Sequence, residues 1–311
     1  MDLSFIIVSY NSSENIKQCI RSLIDHVHDH GRQLEYEIIV VDNASSDDSV
    51  SVIETELPQV VLIKNDENRG YSAALNQGIA ASTGLFVVAM NNDIEISSNI
   101  FESMLRIMKA DSGIGILGCN LINPDGSPQK SSFRFPSLIG RIAILTSLNR
   151  LYQNRTPFTE RPDGTNPIEV DCAKGALLLI RRDALDRVGV FDEHYFMYHE
   201  EMDLCYRFKQ DGWKVCIDQS SKAIHHGQHA EDAANRFVFL ERNKSLLYFH
   251  KKHYSRRNLT ALIFINLFFF YLKICLIYCT FRHRKQSTIA DVYKKVIESN
   301  LVYLKQSDGF R

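Results

Sequence analysis

The sequence has few of the residues from which covalent or metal-held frameworks are built. Its 311 residues include seven cysteines, an odd number in which no two stand in CxxC spacing. We therefore expect neither a disulfide framework nor a cysteine-based zinc cluster, and free thiols fit a reducing, cytoplasmic compartment. A signal peptide is not expected either, because a strand-like apolar segment begins at Leu3 and leaves no room for a charged leader region.

Proline is also scarce, and its distribution divides the chain. Only seven prolines occur, and four of them lie within 134–168. We predict that this segment is a long, partly irregular excursion of the chain that forms a lid or an insertion on the acceptor side of the site. Before it, strand-like runs at 3–9, 36–42, 60–64 and 85–90 alternate with helix-like segments at 13–28, 47–56 and 71–82. This alternation predicts an α/β fold with βαβ units and a mainly parallel central sheet flanked by helices.

A net charge of only −1 conceals two regions of opposite sign. Residues 236–311 contain 15 Lys and Arg against four Asp and Glu, whereas residues 1–235 contain 21 against 33. We predict an acidic catalytic domain over 1–235, with a nucleotide-binding half at about 1–95 and an acceptor half at about 96–235. A basic helical region follows over 236–311, and its charge indicates an anionic surface as partner.

Polar residues stand at the ends of four successive strands: Ser9-Tyr10-Asn11, Asp42-Asn43, Asn65-Asp66 and Asn91-Asn92-Asp93. In a parallel sheet these ends share one edge, where open α/β sheets bind their ligands. The carboxylate of Asp93 could hold a divalent cation against a diphosphate, and that of Asp42 could accept from the imide N–H of uracil or thymine. Ordinary Asn/Asp turns remain the alternative for both.

A second group of candidate residues lies between 191 and 207. Glu200, Glu201 and Asp203 crowd the start of a predicted helix, where negative charge is tolerated. Aromatic residues before them make a partly dry setting, in which the pKa of a carboxylate rises towards that of a useful base. The alternative is a capped, solvated helix, and Arg207 is predicted to form an ion pair with Asp203.

Together and in this order, the motifs resemble those of family-2 glycosyltransferases of the GT-A fold, most closely the bacterial rhamnosyltransferase-like branch. The resemblance covers about residues 3–250. It rests on the following segments: Val8–Asn11, Val41–Asp47, Asn68–Tyr71 with Asn76 and Gly78, Asn91–Asp93, Gly175, Phe191–Arg207 and Gly212-Trp213. The glycine- and arginine-rich loop that a sugar nucleotidyltransferase needs after its first strand is replaced by Ser9-Tyr10-Asn11.

The resemblance implies a role for each matching residue. Asp42 would hold the nucleobase above a floor made by Ser9, Tyr10 and Asn11. The sugar-nucleotide pocket would be shaped by four further residues, namely Asn68, Gly70, Asn76 and Asn92.

The resemblance also implies a metal site and a general base. Asp93 matches the last acid of the DxD motif and would bind Mg²⁺ or Mn²⁺ together with His225, with His226 and His229 as alternates. Asn91 departs from DxD, which removes one charge and weakens metal binding. Glu201 takes the position of the general base, usually an aspartate, with Glu200 and Asp203 as rivals.

The implied activity is inverting transfer of a sugar from a nucleotide diphosphate donor. L-Rhamnose from dTDP-rhamnose and a lipid-linked saccharide of O-antigen or capsule synthesis are the expected donor and acceptor. A UDP-sugar donor is one alternative. A membrane-associated nucleotide-sugar-binding protein with a degenerate site is another, because of Asn91 and Glu201.

A 23-residue apolar run over 259–281 is long enough, at about 1.5 Å per residue, to cross a bilayer core of about 30 Å. Asn266, Lys273 and Thr280 recur every seven residues and predict one polar stripe along a helix. Basic residues flank both ends, which favours a helix lying in the membrane interface on anionic lipids. We expect peripheral attachment to the inner face of the cell membrane and no nucleic-acid partner; a core or homodimer helix and a true span are the alternatives.

Overall fold

The structure, a computed structural model, describes residues 1–27, 34–146, 148, 166–227, 236–280 and 284–308. The chain divides into two compact units. The first comprises 1–135, 156–196 and 200–228, and the second comprises 136–155, 197–199 and 229–311. Compared with the expected division at residue 235, two short internal segments thus join the C-terminal helical unit. Residues 149–165, about half of the proline-rich excursion, lie outside the described residues.

The first unit is built on strands whose runs the sequence predicted. The strands are β1 Leu3–Ser9, β2 Tyr36–Asp42, β3 Val61–Lys64, β4 Phe86–Asn91, β5 Ile94–Glu95, β6 Ile114–Ile122, β7 Pro128–Gln129, β8 Ser132–Phe133, β9 Ile168–Glu169, β10 Cys172–Ala173, β11 Leu177–Arg181 and β12 Lys214–His225. The four N-terminal strands confirm the prediction to within a residue at each end. The strand β12 is long, and its pairing with β6 is irregular between Asp218 and Lys222.

The first three helices begin and end within two residues of the predicted points, whereas the helix Leu138–Leu145 lies within the segment 134–168 that was expected to be irregular. The helices are α1 Ser13–His26, α2 Ser49–Glu56, α3 Tyr71–Ala81, α4 Ile100–Ala110, α5 Leu138–Leu145, α6 Arg182–Val188, α7 Glu200–Gln210, α8 Arg236–His253, α9 Arg256–Thr280 and α10 Arg284–Asp308. The described part of the chain therefore alternates strand and helix up to residue 225 and is helical afterwards.

The main sheet has the strand order β3-β2-β1-β4-β11-β6-β12-β5. Neighbours β1–β2, β1–β4, β2–β3 and β6–β12 are parallel, and β11 lies antiparallel between β4 and β6. Ser9 pairs with Asp42, and Asp42 pairs with Lys64, so the strand ends are level. The four polar strand ends consequently lie along one edge, as predicted.

The sheet positions these ends rigidly because both of its faces are covered. Every residue of β1 is buried, which explains its unbroken apolar run. On one face, Phe5 contacts Phe101 of α4 edge-to-face, with ring centroids 4.9 Å apart. Burial of such aromatic side chains stabilises each packed layer by about 1.5–3 kcal/mol per side chain.

The second unit is an assembly of α5, α8, α9 and α10. Helix α9 buries one face, which carries Leu259, Leu262, Ile263, Asn266 and Phe270. Its opposite face exposes large apolar side chains, namely Phe264, Phe268, Tyr271, Leu272, Leu276 and Tyr278. Within the described residues, α9 alone is long and apolar enough to cross a bilayer by length and composition.

Two residues of the predicted polar stripe of α9, Asn266 and Lys273, face neighbouring helices rather than outwards. Asn266 is fully buried and donates to Asn300 at 3.0 Å. The ammonium of Lys273 lies 5.8 Å from the ring centroid of Tyr293 on α10. A buried amide needs hydrogen-bond partners, and the neighbouring helices supply them. The exposed face of α9 is therefore apolar rather than mixed.

Candidate active site

Asp42 lies at the end of β2 and is almost fully buried. Its Oδ2 accepts from the Ser45 amide at 2.9 Å, and its Oδ1 accepts from the Ser45 hydroxyl at 2.5 Å. This is the turn-capping geometry that stood as the alternative to nucleobase binding. The two roles are compatible, because a carboxylate offers about four lone-pair sites and Ser45 occupies two of them.

The three residues predicted to lie beneath the nucleobase, Ser9, Tyr10 and Asn11, differ in exposure and in their contacts. Ser9 is buried, and its carbonyl accepts from the Asn43 amide at 2.8 Å. Asn11 adopts a positive φ of 48° and accepts from the Ser46 amide at 2.7 Å. Tyr10 is 49% exposed. Ser9 and Asn11 thus shape the loop, whereas Tyr10 presents a ring that a base can contact.

A network of side-chain amides holds the loop after β3. Asn43 donates to Asn68 Oδ1 at 3.1 Å and to the Gly70 carbonyl at 3.0 Å. Asn65 donates to Asn43 Oδ1 at 2.9 Å and exchanges two hydrogen bonds with Gln77, at 2.8 and 2.9 Å. Asn68 therefore acts by fixing the approach to α3. The central position of Asn43 became apparent only from this network.

Gly70 precedes α3 at a point where no other residue fits. Its φ is +85°, and an added Cβ would lie 2.7 Å from the Phe196 carbonyl oxygen. The next amide, that of Tyr71, donates to the same carbonyl at 2.7 Å. The close approach ties the start of α3 to the aromatic segment before the acid cluster.

Asn76, one turn further along α3, contacts the same region of the chain. Its Nδ2 donates to the Phe191 carbonyl at 2.8 Å and to Glu193 at 2.9 Å, and its Oδ1 accepts from the Phe191 amide at 3.1 Å. With these bonds in place, Asn76 can shape the sugar-nucleotide pocket indirectly, by holding residues 191–193. Asn92 donates to the Ser12 hydroxyl at 2.9 Å.

Asp93 and His225 come together although 132 positions separate them in the chain. His225 ends β12 and pairs with Ile94 of β5, directly after Asp93. His225 Nε2 lies 3.4 Å from Asp93 Oδ1, an oxygen that is buried without a hydrogen bond. Asp93 Oδ2 accepts from the Gly227 amide at 3.1 Å. Burial alone would raise the pKa of Asp93, but the interaction with His225 and the amide hydrogen bonds lower it.

The ring of His225 is oriented by Gln129. Its Nδ1 lies 2.7 Å from Gln129 Oε1, and Gln129 Nε2 donates to the His225 carbonyl at 2.8 Å. Because the amide oxygen only accepts, Gln129 favours a proton on Nδ1 and a lone pair on Nε2 facing Asp93, whereas the Lys174 ammonium, 3.3 Å from the same Nδ1, favours the opposite tautomer. A proton or a divalent cation on the Nε2–Oδ1 line satisfies both atoms. This orientation of a histidine by its other nitrogen is typical of metal ligands.

Of the two alternative metal ligands, His226 and His229, only His226 lies among the described residues. His226 Nε2 lies 2.9 Å from Glu95 Oε2, so its ring is engaged with another carboxylate. His229 lies outside the described residues. No group of three or more His, Cys, Asp and Glu side chains suited to a metal ion occurs in the described part of the chain. A cation at Asp93 and His225 would complete its coordination with water and phosphate oxygens.

The acid cluster separates into a pair and a structural carboxylate. Glu200 is buried with Oε2 lacking a hydrogen bond. Burial, and then the charge of Glu201, raise the pKa of Glu200 well above its usual value. Glu201 is half-buried and packs closely on Gly175, where an added Cβ would lie 3.1 Å from its own. Glu201 is thus the more accessible member of the pair.

Asp203 is fully buried and already has partners. Arg207 Nε donates to Asp203 Oδ2 at 2.8 Å, which confirms the predicted ion pair. The Tyr195 hydroxyl donates to Oδ1 at 3.4 Å. A carboxylate held by a cation is a poor base, so among the three rivals the geometry favours Asp203 least.

Tyr71 links the acid pair to the predicted metal ligand. Its hydroxyl donates to Asn91 Oδ1 at 2.9 Å. Burial, followed by the negative charges of Glu200, Glu201 and Asp93, raises the pKa of Tyr71 well above its usual value. Tyr71 therefore lies within the electrostatic field of all three carboxylates. The sequence contained one signal for this role, its place directly after Gly70 at the start of a helix.

Comparisons with known proteins agree with this arrangement. The model of glycosyl transferase family 2 matches residues 4–189. N-acetylglucosaminyl-diphospho-decaprenol L-rhamnosyltransferase of Mycobacterium tuberculosis is 29% identical over 245 residues. The alignment covers 73% of this chain and 77% of the mycobacterial protein. Low-salt glycan biosynthesis hexosyltransferase Agl10 of Haloferax volcanii is 29% identical over 235 residues. That alignment covers 72% of this chain and 67% of Agl10.

Solved structures show the same fold. Mannosyltransferase PcManGT from Pyrobaculum calidifontis, solved with GDP-Man and Mn²⁺, superposes with a TM-score of 0.59 at 14% identity, over 97% of this chain and 86% of that one. TarS of S. aureus superposes with a TM-score of 0.53 at 16% identity. The superposition covers 96% of this chain and 55% of the TarS chain. The predicted GT-A fold is confirmed, and so is the rhamnosyltransferase-like resemblance. The chain belongs to glycosyl transferase family 2.

Proposed function

We propose that this protein is an inverting glycosyltransferase that moves L-rhamnose from dTDP-rhamnose to a lipid-linked saccharide. One observation carries the proposal: the Asp93–His225 pair and the Glu200–Glu201 pair both lie around Tyr71. The name of the mycobacterial relative supports the sugar and the class of acceptor. Assembly of a surface polysaccharide such as O-antigen or capsule is the setting that this acceptor suits.

Donor binding would use the edge formed by the first strands. Asp42 retains lone pairs for the imide N–H of thymine, and the exposed ring of Tyr10 can stack on the base. Gly70 would allow the chain to approach the sugar diphosphate closely, because it carries no side chain at the start of α3, and the Asn68 side chain would hold the loop by accepting from the Gly70 amide at 3.0 Å.

Asp93 and His225 fit a divalent cation, Mg²⁺ or Mn²⁺. The supporting observation is the buried Oδ1 of Asp93, which lacks a hydrogen bond and faces the Nε2 lone pair of His225. When bound, such a cation neutralises the charge that develops on a departing nucleoside diphosphate. The hydrogen bond at 2.7 Å from Gln129 Oε1 favours the tautomer of His225 that coordination requires.

Glu201 would act as the general base. Burial and the charge of Glu201 raise the pKa of Glu200, so Glu200 holds its proton more tightly than an ordinary carboxyl does, and the more accessible Glu201 is the better candidate for the base. Glu201 accepts the proton of the acceptor hydroxyl as that oxygen attacks the anomeric carbon. The new C–O bond forms on the face opposite the diphosphate, whose bond to carbon breaks with its electron pair, and the configuration inverts.

The helical unit would bring the enzyme to its acceptor. The apolar exposed face of α9 carries Phe264, Phe268, Tyr271, Leu272, Leu276 and Tyr278. Such a face beside an excess of basic residues suits a membrane interface with anionic lipids, on the cytoplasmic side. A second copy of the chain covering this face as a homodimer is the alternative, which sedimentation in detergent would detect.

The test is a donor screen with the purified full chain. Sugars linked to dTDP, UDP and GDP are offered with Mg²⁺ or Mn²⁺ and a prenyl-diphosphate-linked saccharide, and the released nucleoside diphosphate is measured. We expect turnover with dTDP-rhamnose, and its loss in Asp93→Ala and Glu201→Gln. Metal-independent nucleotide binding with no turnover of any donor would instead indicate a degenerate binding protein.

A further inference from the structure

The helical unit contains a half-buried cation, Arg141, to which no carboxylate among the described residues forms an ion pair. Arg141 of α5 donates from Nε to Asn266 Oδ1 at 2.7 Å and from Nη2 to Asn243 Oδ1 at 3.4 Å. Its guanidinium carbon lies 5.8 Å from the ring centroid of Phe270. Burial lowers the pKa of Arg141 to about 10, so the group remains charged at neutral pH. Both of its polar partners are neutral amides.

Three further polar atoms in this unit are buried without a hydrogen-bond partner. They are Asn243 Nδ2, His250 Nε2 and His199 Nδ1. Asn243 turns its oxygen towards Arg141 and Asn266, so its N–H groups point elsewhere. His250 is fully buried and uses Nδ1 for Asn258, at 2.7 Å, which leaves Nε2 without a partner.

These groups share one positive electrostatic field. Burial and then the charges of Arg141, Arg242 and His250 lower the pKa of His199 to about 3. Burial, and also the charge of Arg141, lower the pKa of His250. His199 is moreover held at a positive φ of 67°, a conformation rare for a residue with a Cβ. Such strain persists where the surrounding structure needs the side chain in that place.

A purely structural function accounts for only part of this cluster. The amides of Asn243 and Asn266 satisfy two of the five N–H donors of Arg141 and leave three. Buried polar atoms without partners are rare, and buried charges are normally paired. Asn243 Nδ2 and the remaining N–H groups of Arg141 are donors, whereas His250 Nε2 carries a lone pair while Nδ1 donates to Asn258. The Arg141 and Asn243 donors lack an acceptor that carries negative charge.

We propose that Arg141, Asn243 and His199, here called the Arg141 cluster, bind a phosphate-type anion. The remaining guanidinium donors offer a bidentate match to phosphate oxygens, and the Asn243 amide N–H and the Nδ1 of His199, in its Nδ1–H tautomer, supply further hydrogen bonds. The anion is the diphosphate of a lipid-linked acceptor or the phosphate of a membrane lipid. Identification of the anion as the acceptor diphosphate rests on the proposed function. It is consistent with the sequence, in which His199 directly precedes Glu200 and Glu201.

Binding of inorganic pyrophosphate to the full chain tests the site without any turnover. Binding is measured by titration calorimetry in a buffer with EDTA, because EDTA removes divalent cations from the Asp93–His225 pair. Asn243→Asp is the sharpest variant, because it keeps the side-chain volume and gives Arg141 an internal counter-ion. We expect pyrophosphate affinity to fall by at least about tenfold in Asn243→Asp and in Arg141→Gln, as loss of a charge-assisted hydrogen bond implies.

The controls separate this proposal from its alternatives. Arg257→Gln removes an exposed charge of the same kind from α9 and should leave pyrophosphate affinity unchanged. Asp93→Ala should abolish turnover yet bind pyrophosphate normally in EDTA, so that failure of the proposed function is distinguishable. Thermal melting reports whether each variant folds, and Asn243→Asp should melt no lower than the wild type if its new ion pair forms.

Two further measurements identify the source of the anion. If it is the acceptor, Asn243→Asp raises the KM for the prenyl-diphosphate saccharide and leaves the KM for the nucleotide sugar unchanged. If it is a lipid, the same variant sediments less with phosphatidylglycerol vesicles in the absence of acceptor. The proposal is overturned if the wild-type chain binds no pyrophosphate in EDTA, or if folded Asn243→Asp and Arg141→Gln bind it as the wild type does.

Discussion

Replacing Asp203 by Asn should destabilise the protein without stopping its chemistry. Asp203 is fully buried, and its ion pair with Arg207 measures 2.8 Å. Removing one partner of a buried pair costs about 3–5 kcal/mol, because the other charge is left uncompensated. Arg207 is 19% exposed and also donates to the carbonyls of Val188, Gly189 and Val190. These bonds retain the guanidinium, so we expect a loss of about 3 kcal/mol, at the lower end of that range.

Urea unfolding and turnover measured on the same preparations check this expectation. With a slope of about 3 kcal/mol per molar urea, the unfolding midpoint should fall by about 1 M. Asp183→Asn makes the same chemical change at an exposed position of α6 and should alter the unfolding free energy by less than about 0.5 kcal/mol. Turnover of Asp203→Asn should stay within an order of magnitude of the wild type, because Arg207 keeps this carboxylate from acting as a base.

Glu201→Gln should behave in the opposite way. Loss of a general base lowers kcat by about 10²–10⁴, while the amide replaces the carboxylate with little change in volume. The stability of this variant should therefore remain close to that of the wild type. The assignment of the base is refuted if Asp203→Asn keeps full stability and loses turnover while Glu201→Gln remains active.

Three other perturbations have defined outcomes. Gly70→Ala should lower the unfolding free energy by about 2–5 kcal/mol, since its Cβ would meet Phe196 at a positive φ, and a wild-type urea midpoint would contradict this. For Glu200, the raised pKa means that the folded state binds its proton more tightly, so wild-type stability falls as pH rises above the ordinary carboxyl pKa. Glu200→Gln should therefore raise the melting temperature more at pH 8 than at pH 5, and a pH-independent difference would count against the buried, protonated carboxyl. Phe268→Lys, on the exposed face of α9, should reduce sedimentation with anionic vesicles while leaving the melting temperature unchanged; undiminished sedimentation would argue that this face does not contact lipid.

Much of the fold follows from the sequence alone, because its determinants are local. The apolar runs that became β1, β4 and most of β2 are buried on both faces and therefore read as continuous strands. Since parallel strands end at one edge, the level alignment of Ser9, Asp42 and Asn91 could be predicted as well. The joint order of short motifs was sufficient to indicate the family.

The division of labour within the site was decided only by tertiary contacts. Three acids within four positions look equivalent in sequence, but Arg207 engages Asp203, whereas burial raises the pKa of Glu200 and leaves Glu201 the accessible one. Likewise, Glu95 engages His226 and Gln129 orients His225. Such partners lie far along the chain, so no local pattern could have named them.

The same limit explains the polar residues of α9. Their seven-residue spacing correctly predicts one stripe on a helix, yet spacing carries no information about what that stripe faces. Asn266 turned inwards because Arg141, Asn243 and Asn300 surround it, and the apolar residues were left outside. Periodicity determines which residues share a face, and only packing against other elements determines whether that face is buried.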